Sequence, residues 1–208
     1  MLITGFLRCS VLLLASSVLL TNCKKACDNE NAPTFGLTQG QQEWSKPFAK
    51  NTVWRFRNAT GYVRTYRITR AEVLNEGGGG GKSSLCATYF VNFFVATVER
   101  TDSVARPLEN TFRFQMDPTN TSTNVPFRGF LQMGGDAFTL PIDQVEDGRL
   151  TLAPATFGGR TYPAALESYF YPTPPLVPRP TQTGYVCLTK AEGLVRFEEL
   201  GGTVWNRL

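Results

Sequence analysis

From Thr52 onward, apolar residues recur at every second position in short runs broken by glycine and proline. That period belongs to the β-strand, whose side chains alternate between the two faces of a sheet. Val53-Trp54-Arg55-Phe56-Arg57 alternates, turns at Asn58-Ala59-Thr60-Gly61 and resumes over residues 62–74, the pattern of a hairpin. Residues 85–98 are apolar on both alternating sets, with Tyr89, Val91, Phe93 and Val95 on one and Phe90, Phe94, Ala96 and Val98 on the other. Such a strand is covered on both faces. Phe112, Phe114 and Met116 alternate with Arg113 and Gln115 and predict one buried face. Residues 127–138, 149–152 and 161–171 are weaker strand segments, and residues 185–189, 194–198 and 203–208 read as a meander. No helical period persists beyond two turns, and residues 164–169 are the one place where a short helix fits. The 13 prolines and 19 glycines fall mostly between the runs, as turn residues do. About nine to ten short strands with little helix predict an all-β domain, a curved antiparallel sheet closing toward a barrel or a sandwich.

The first fifty residues differ in kind. Arg8 precedes an apolar run, residues 11–20, of signal-peptide length and shorter than the ~20 residues of a membrane-spanning helix. The run stops at Thr21-Asn22-Cys23, and Lys24-Lys25 follows. Residues 24–50 are polar, carry Pro33, Gly36, Gly40 and Pro47, and have Trp44 and Phe48 as their main bulky side chains, so they read as a linker. The expected organisation is a signal over residues 1–22, a polar tether over 23–50 and a single β domain over 51–208. The 208 residues suit one domain, and 42% hydrophobic residues suffice for a core.

Composition narrows the chemistry. The chain has no histidine, which removes Ser-His-Asp hydrolysis, Cys-His proteolysis and histidine-ligated metals. A net charge of +4 is too slight to argue for a nucleic-acid partner. The glycine run 77–81 before Lys82-Ser83 resembles a phosphate loop only at first sight. Glu76 stands where that pattern needs glycine, and a strand rather than a helix follows. Asp143, Glu146 and Asp147 form a polar turn too sparse for calcium, so no metal or cofactor is expected. Arg55, Arg57, Arg64 and Arg70 form a possible anion-contact strip on the predicted hairpin, with Arg67 opposite in parity to Arg64 and Arg70. The alternative is a solvated edge face. Cys86 and Cys187 lie in predicted strands and are a possible disulfide or two buried thiols. The aromatic residues Phe90, Phe93, Phe94, Phe112, Phe114, Phe127, Phe130, Phe138, Tyr169, Phe170 and Tyr171 fill a β core or line a cavity for an apolar ligand.

Two segments carry a resemblance. Leu20-Thr21-Asn22-Cys23 resembles a bacterial lipoprotein signal, cut just before the cysteine that receives the acyl chains. Lys190-Ala191-Glu192-Gly193-Leu194-Val195-Arg196-Phe197, then Gly202 and the final Trp205, look like the ending of a group of Bacteroidota-type lipoproteins. The resemblance implies a chain lipidated (palmitate-type acylation) at Cys23 and anchored to the outer membrane of a cell envelope, on its periplasmic or its surface face. It implies a structural C-terminal motif and transfers no active site. The expected function is that of a non-enzymatic envelope lipoprotein binding a protein partner or envelope component. The alternative is a carrier holding a lipid in a half-barrel cavity.

Overall fold

Alternation along the chain becomes curvature in space, because most runs end in a turn tight enough to bring the next run alongside. The computed structural model describes residues 31–79, 86–103, 110–134, 136–170 and 179–208. The strands are β1 (Thr34–Phe35), β2 (Val53–Arg57), β3 (Val63–Gly78), β4 (Tyr89–Arg100), β5 (Thr111–Asp117) and β6 (Arg128–Met133). They continue as β7 (Asp136–Thr139), β8 (Ala153–Phe157), β9 (Arg160–Tyr169), β10 (Thr183–Thr189), β11 (Gly193–Glu199) and β12 (Val204–Arg207). The sheet runs β7-β6-β5-β4-β3-β2-β12-β11-β10-β9-β8, and β1 adds in parallel to β4. The fold is therefore all-β, a curled antiparallel half-barrel, with 12 strands among the described residues rather than the nine or ten expected.

The edges of the curl meet through side chains. Ser168 Oγ donates to the Thr139 carbonyl at 2.9 Å, and Gln182 Nε2 donates to Asp136 Oδ1 at 2.9 Å. Phe138 and Phe170 touch edge to face across the same seam. Inside, Trp54, Phe56, Tyr66, Ile68, Val98, Phe112, Phe114, Leu131, Leu188, Phe197 and Trp205 belong to one buried cluster. Each such side chain contributes roughly 1.5–3 kcal/mol relative to exposure.

One end of the curl is plugged. Helix α1 (Gln39–Glu43), a 3₁₀ turn (Lys46–Phe48) and helix α2 (Ile142–Glu146) lie across it. A capping box starts α1: Thr38 Oγ accepts from the Gln41 N–H while Gln41 Oε1 accepts from the Thr38 N–H. Trp44 and Phe48 are each 1% exposed, and Phe48 stacks on Phe114 with centroids 4.1 Å apart. Trp44 Nε1 donates to Glu146 Oε1 at 2.7 Å, and Lys190 Nζ reaches both Glu146 oxygens at 2.9 Å. The polar stretch expected to be a tether up to residue 50 is thus part of the domain from Thr34 onward. Trp44 and Phe48 fill the barrel end, and Gln41 is buried with them while the other polar residues of the stretch stay at least partly exposed. The short helix expected at 164–169 is also corrected: those residues belong to β9, whose backbone pairs with β8 and β10.

A second, smaller cluster lies on the outer face. Tyr162, Ala165, Tyr185, Cys187 and Val195 are buried together, with Ala155 and Phe157 packed against them. The β8–β9 hairpin folds over the outside of β10 and β11, so β10 is covered on both sides. In β4 the expectation of two covered faces holds over its middle, where Val95 and Ala96 are 1% and 0% exposed. The C-terminal meander forms as expected. Its turn glycine, Gly193, has φ of 73°, and a Cβ there would lie 3.1 Å from the Trp54 ring.

Candidate binding pocket at the open end of the half-barrel

The end opposite the plug is open and polar. Inward-facing residues at the ends of β3, β4, β5, β7, β10 and β11 surround a pocket of about 150 Å³. Arg64, Arg100 and Arg179 supply its guanidinium groups, and Asp136 and Glu199 supply carboxylates. Asn110, Gln182 and Thr183 add amides and a hydroxyl, and Tyr66, Phe112 and Phe197 form the aromatic floor.

Register places Arg64 here. It pairs across the ladder with Phe56, a core residue, so its side chain enters the concave face. Arg64 Nη1 donates to Glu199 Oε1 at 2.7 Å, and its guanidinium lies 3.8 Å from the centroid of the Trp205 ring. Glu199 is only 7% exposed, so this pair is set in a poorly solvated wall. Beside it, burial pushes the Tyr66 hydroxyl up to about 12, against the opposing pull of the Arg64 and Arg100 charges.

Arg100 grips Asp102 through two hydrogen bonds, Nε to Oδ1 at 3.0 Å and Nη2 to Oδ2 at 2.9 Å. Burial raises the Asp102 carboxyl, but the bonds from Arg100 and from the Thr65 N–H outweigh it, and the net shift is downward. Asp136 is shifted the other way: burial raises it, with Gln182 and the Arg179 charge opposing. Its Oδ2 is buried and accepts no hydrogen bond in the structure. Counting Asp102 behind Arg100, the three guanidinium groups stand against three carboxylates. The pocket is therefore close to charge-balanced and dense in paired donors and acceptors.

The other sequence candidates are distributed differently. Arg55 and Arg57 lie on the outer face of β2, and Arg67, opposite Val53, shares that face. A bulge between Ile68 and Arg70 then brings Arg70 to the same side, where it pairs with Glu72. The strip expected from Arg55, Arg57, Arg64 and Arg70 is thus corrected: Arg64 leaves it for the pocket and Arg67 joins it. Parity counting failed there because one extra residue reverses the alternation.

Cys86 and Cys187 are not joined. Cys187 is a free thiol with no exposed surface, enclosed beneath the β8–β9 hairpin, and burial pushes it up to about 12. Cys86 is disulfide-bonded, but not to Cys187. The acidic turn serves as structure. Asp143 and Asp147 both hold Arg149, and Glu146 braces the plug. Gly77 and Gly78 end β3 in the ladder with Phe90 and Tyr89, whereas Lys82, Ser83, Tyr171 and Cys23 lie outside the described residues. Phe94, Phe114, Phe127 and Phe138 fill the main core rather than line a hollow, and Phe112 belongs to that core while also flooring the pocket.

Sequence reading missed Arg100, Asn110, Asp136, Arg179, Gln182 and Glu199 as pocket residues. They sit at strand ends or in turns scattered from residue 100 to residue 199, and only the closure of the sheet brings them together. Comparisons with protein-family models, with curated proteins and with solved structures give no match.

Proposed function

We propose that the protein is a non-enzymatic lipoprotein of the bacterial cell envelope, anchored to the outer membrane through acylated Cys23. Its β domain binds a small, neutral, hydroxyl-rich group, such as one sugar residue of an envelope component, in the open-end pocket. The observation that carries this reading is the pocket's make-up: balanced guanidinium and carboxylate groups, amides and a hydroxyl above an aromatic floor. Planar polar groups offer paired donors and acceptors to neighbouring hydroxyls, and an aromatic floor suits the C–H face of a ring. The pocket, of about 150 Å³, is small and lined mostly by polar groups. That admits a single ring and not an acyl chain, whose carriers need a larger apolar hollow.

Anchoring is supported by the apolar run 11–20 ending at Leu20-Thr21-Asn22-Cys23. Several acyl chains on one cysteine give stable attachment where a single chain is reversible. The carrier reading is weakened by the filled interior, since the aromatic residues that would line a lipid cavity pack against one another.

The test is mass spectrometry of the full-length protein extracted from membranes in mild detergent. The expected result is an N-terminal peptide beginning at acylated Cys23, with a saccharide co-extracted. An intact N-terminus carrying unmodified Cys23 refutes the anchor, and a co-extracted acyl lipid in place of the saccharide refutes the ligand class.

A further inference from the structure

We infer that the free edge of β3 is an interface for a second copy of this chain, paired antiparallel about a twofold axis at Val73. The interface depends neither on the anchor nor on the pocket's ligand.

The register of the sheet leaves this edge open. The Arg100 N–H donates to the Asn110 carbonyl at 2.8 Å, toward β5, and the Phe90 N–H donates to the Pro33 carbonyl at 2.8 Å, toward β1. Even-numbered residues of β4 therefore aim their backbone groups away from β3, and odd-numbered ones aim them at it. Arg70, Glu72, Leu74 and Glu76 stand opposite Thr97, Val95, Phe93 and Val91, so they bond to β4. Ala71, Val73 and Asn75 stand opposite Ala96, Phe94 and Asn92, and turn their N–H and C=O groups to the other side. On that side β2 reaches only to Val53, opposite Arg67, and the last bonds join Ile68 to Asn51 and Thr52. Past the bulge, no strand among the described residues pairs with this side of β3.

The side chains select the occupant. An axis at Val73 uses the whole free stretch, residues 70–76. Val73 then faces the partner's Val73, and Ala71 and Asn75 face the partner's Asn75 and Ala71. Each of these pairs exchanges two backbone hydrogen bonds. Val73 is 63% exposed, more than any other large apolar side chain among the described residues, and its own copy covers it. On the opposite face Arg70 meets the partner's Glu76, and Glu76 meets the partner's Arg70. Glu76 is exposed and has no ion pair among the described residues, while Arg70 is half-exposed and holds only Glu72. Neighbouring registers are worse. An axis at Glu72 sets Glu72 on its own copy, and an axis at Leu74 sets Glu72 on the partner's Glu76, so both bring like charges together. Charges on an edge strand ordinarily repel an incoming strand. Here, in the one register that fills the edge, they attract.

The test is sedimentation equilibrium of the full-length protein in density-matched detergent, over a series of protein concentrations. The expected result is a reversible monomer–dimer equilibrium. Arg70→Glu and Glu76→Arg should each weaken it about tenfold, because two symmetric contacts turn from attraction to repulsion. The double variant should return it close to the starting affinity, and Val73→Asp should abolish it. Far-ultraviolet circular dichroism shows that each variant is folded. Amide hydrogen exchange of the unaltered protein needs no variant: Ala71, Val73 and Asn75 should become protected as concentration rises, and Gly134 should not. A monomer at every concentration overturns the inference, as does assembly that grows beyond the dimer. A dimer indifferent to the single charge variants, a double variant no better than the singles, or protection that arises away from residues 71–75 also overturns it.

Discussion

Arg64 and Glu199 show how one residue's surroundings decide its worth. Arg64→Met leaves the Glu199 carboxylate in its poorly solvated wall without its cation, and should lower stability by about 1.5–3 kcal/mol. Chemical denaturation checks this, and adding Glu199→Gln should recover part of the loss, because the stranded charge is then gone. Tyr66 governs alkaline behaviour. Its folded value, about 12, lies above the ordinary 10, so its contribution is complete below pH 10 and disappears as pH rises toward 12. Denaturation midpoints should therefore fall across that window, and Tyr66→Phe should flatten the fall. Cys187 behaves alike, since burial raises it from 9 to about 12. It should resist maleimide in the native protein at pH 8 and react as one thiol after unfolding without reductant; rapid native labelling would contradict its enclosure. None of these environments is visible in the sequence. Parity puts Arg64 and Arg67 on opposite faces there, but only the ladder to β2 decides which of them points inward.

Among the elements, the hairpin of β2 and β3 and the C-terminal meander were legible from alternation and turn residues. Their hydrogen-bond partners are their sequence neighbours, so local pattern suffices. The plug was not legible. Residues 39–48 are too short and too polar to show a helical face, and Trp44 and Phe48 have meaning only against Phe114, Trp54 and Glu146. Phe48→Ala should cost about 3–5 kcal/mol, read by thermal or chemical denaturation, because the barrel end it fills has rigid walls. Gly40→Ala tests the same joint more gently. Its Cβ would sit 2.1 Å from Glu146 Oε2, forcing that carboxylate off Trp44 and Lys190. The expected result is a lowered melting temperature together with a changed Trp44 emission.

At the scale of the whole molecule, the plug, β2 and β12 share one core. Trp44, Trp54 and Trp205 are 1%, 1% and 2% exposed and belong to a single cluster. Tryptophan fluorescence and far-ultraviolet circular dichroism should therefore report one coincident unfolding transition; separate midpoints would show that the plug folds independently. The seam between β7 and β9 is held by Ser168, Gln182 and an aromatic contact. The sequence by itself determined that the domain is all-β, where its clearest hairpin and meander lie, and that histidine chemistry is absent. These follow from side-chain alternation and residue inventory, which are local properties. Tertiary structure decided that the sheet closes into a half-barrel, which end is plugged, which arginines meet in the pocket and that Cys187 stays unpaired. Those outcomes depend on register, a bulge and contacts between residues far apart in the chain. No local pattern encodes them, because each is settled by which distant surfaces bury one another best.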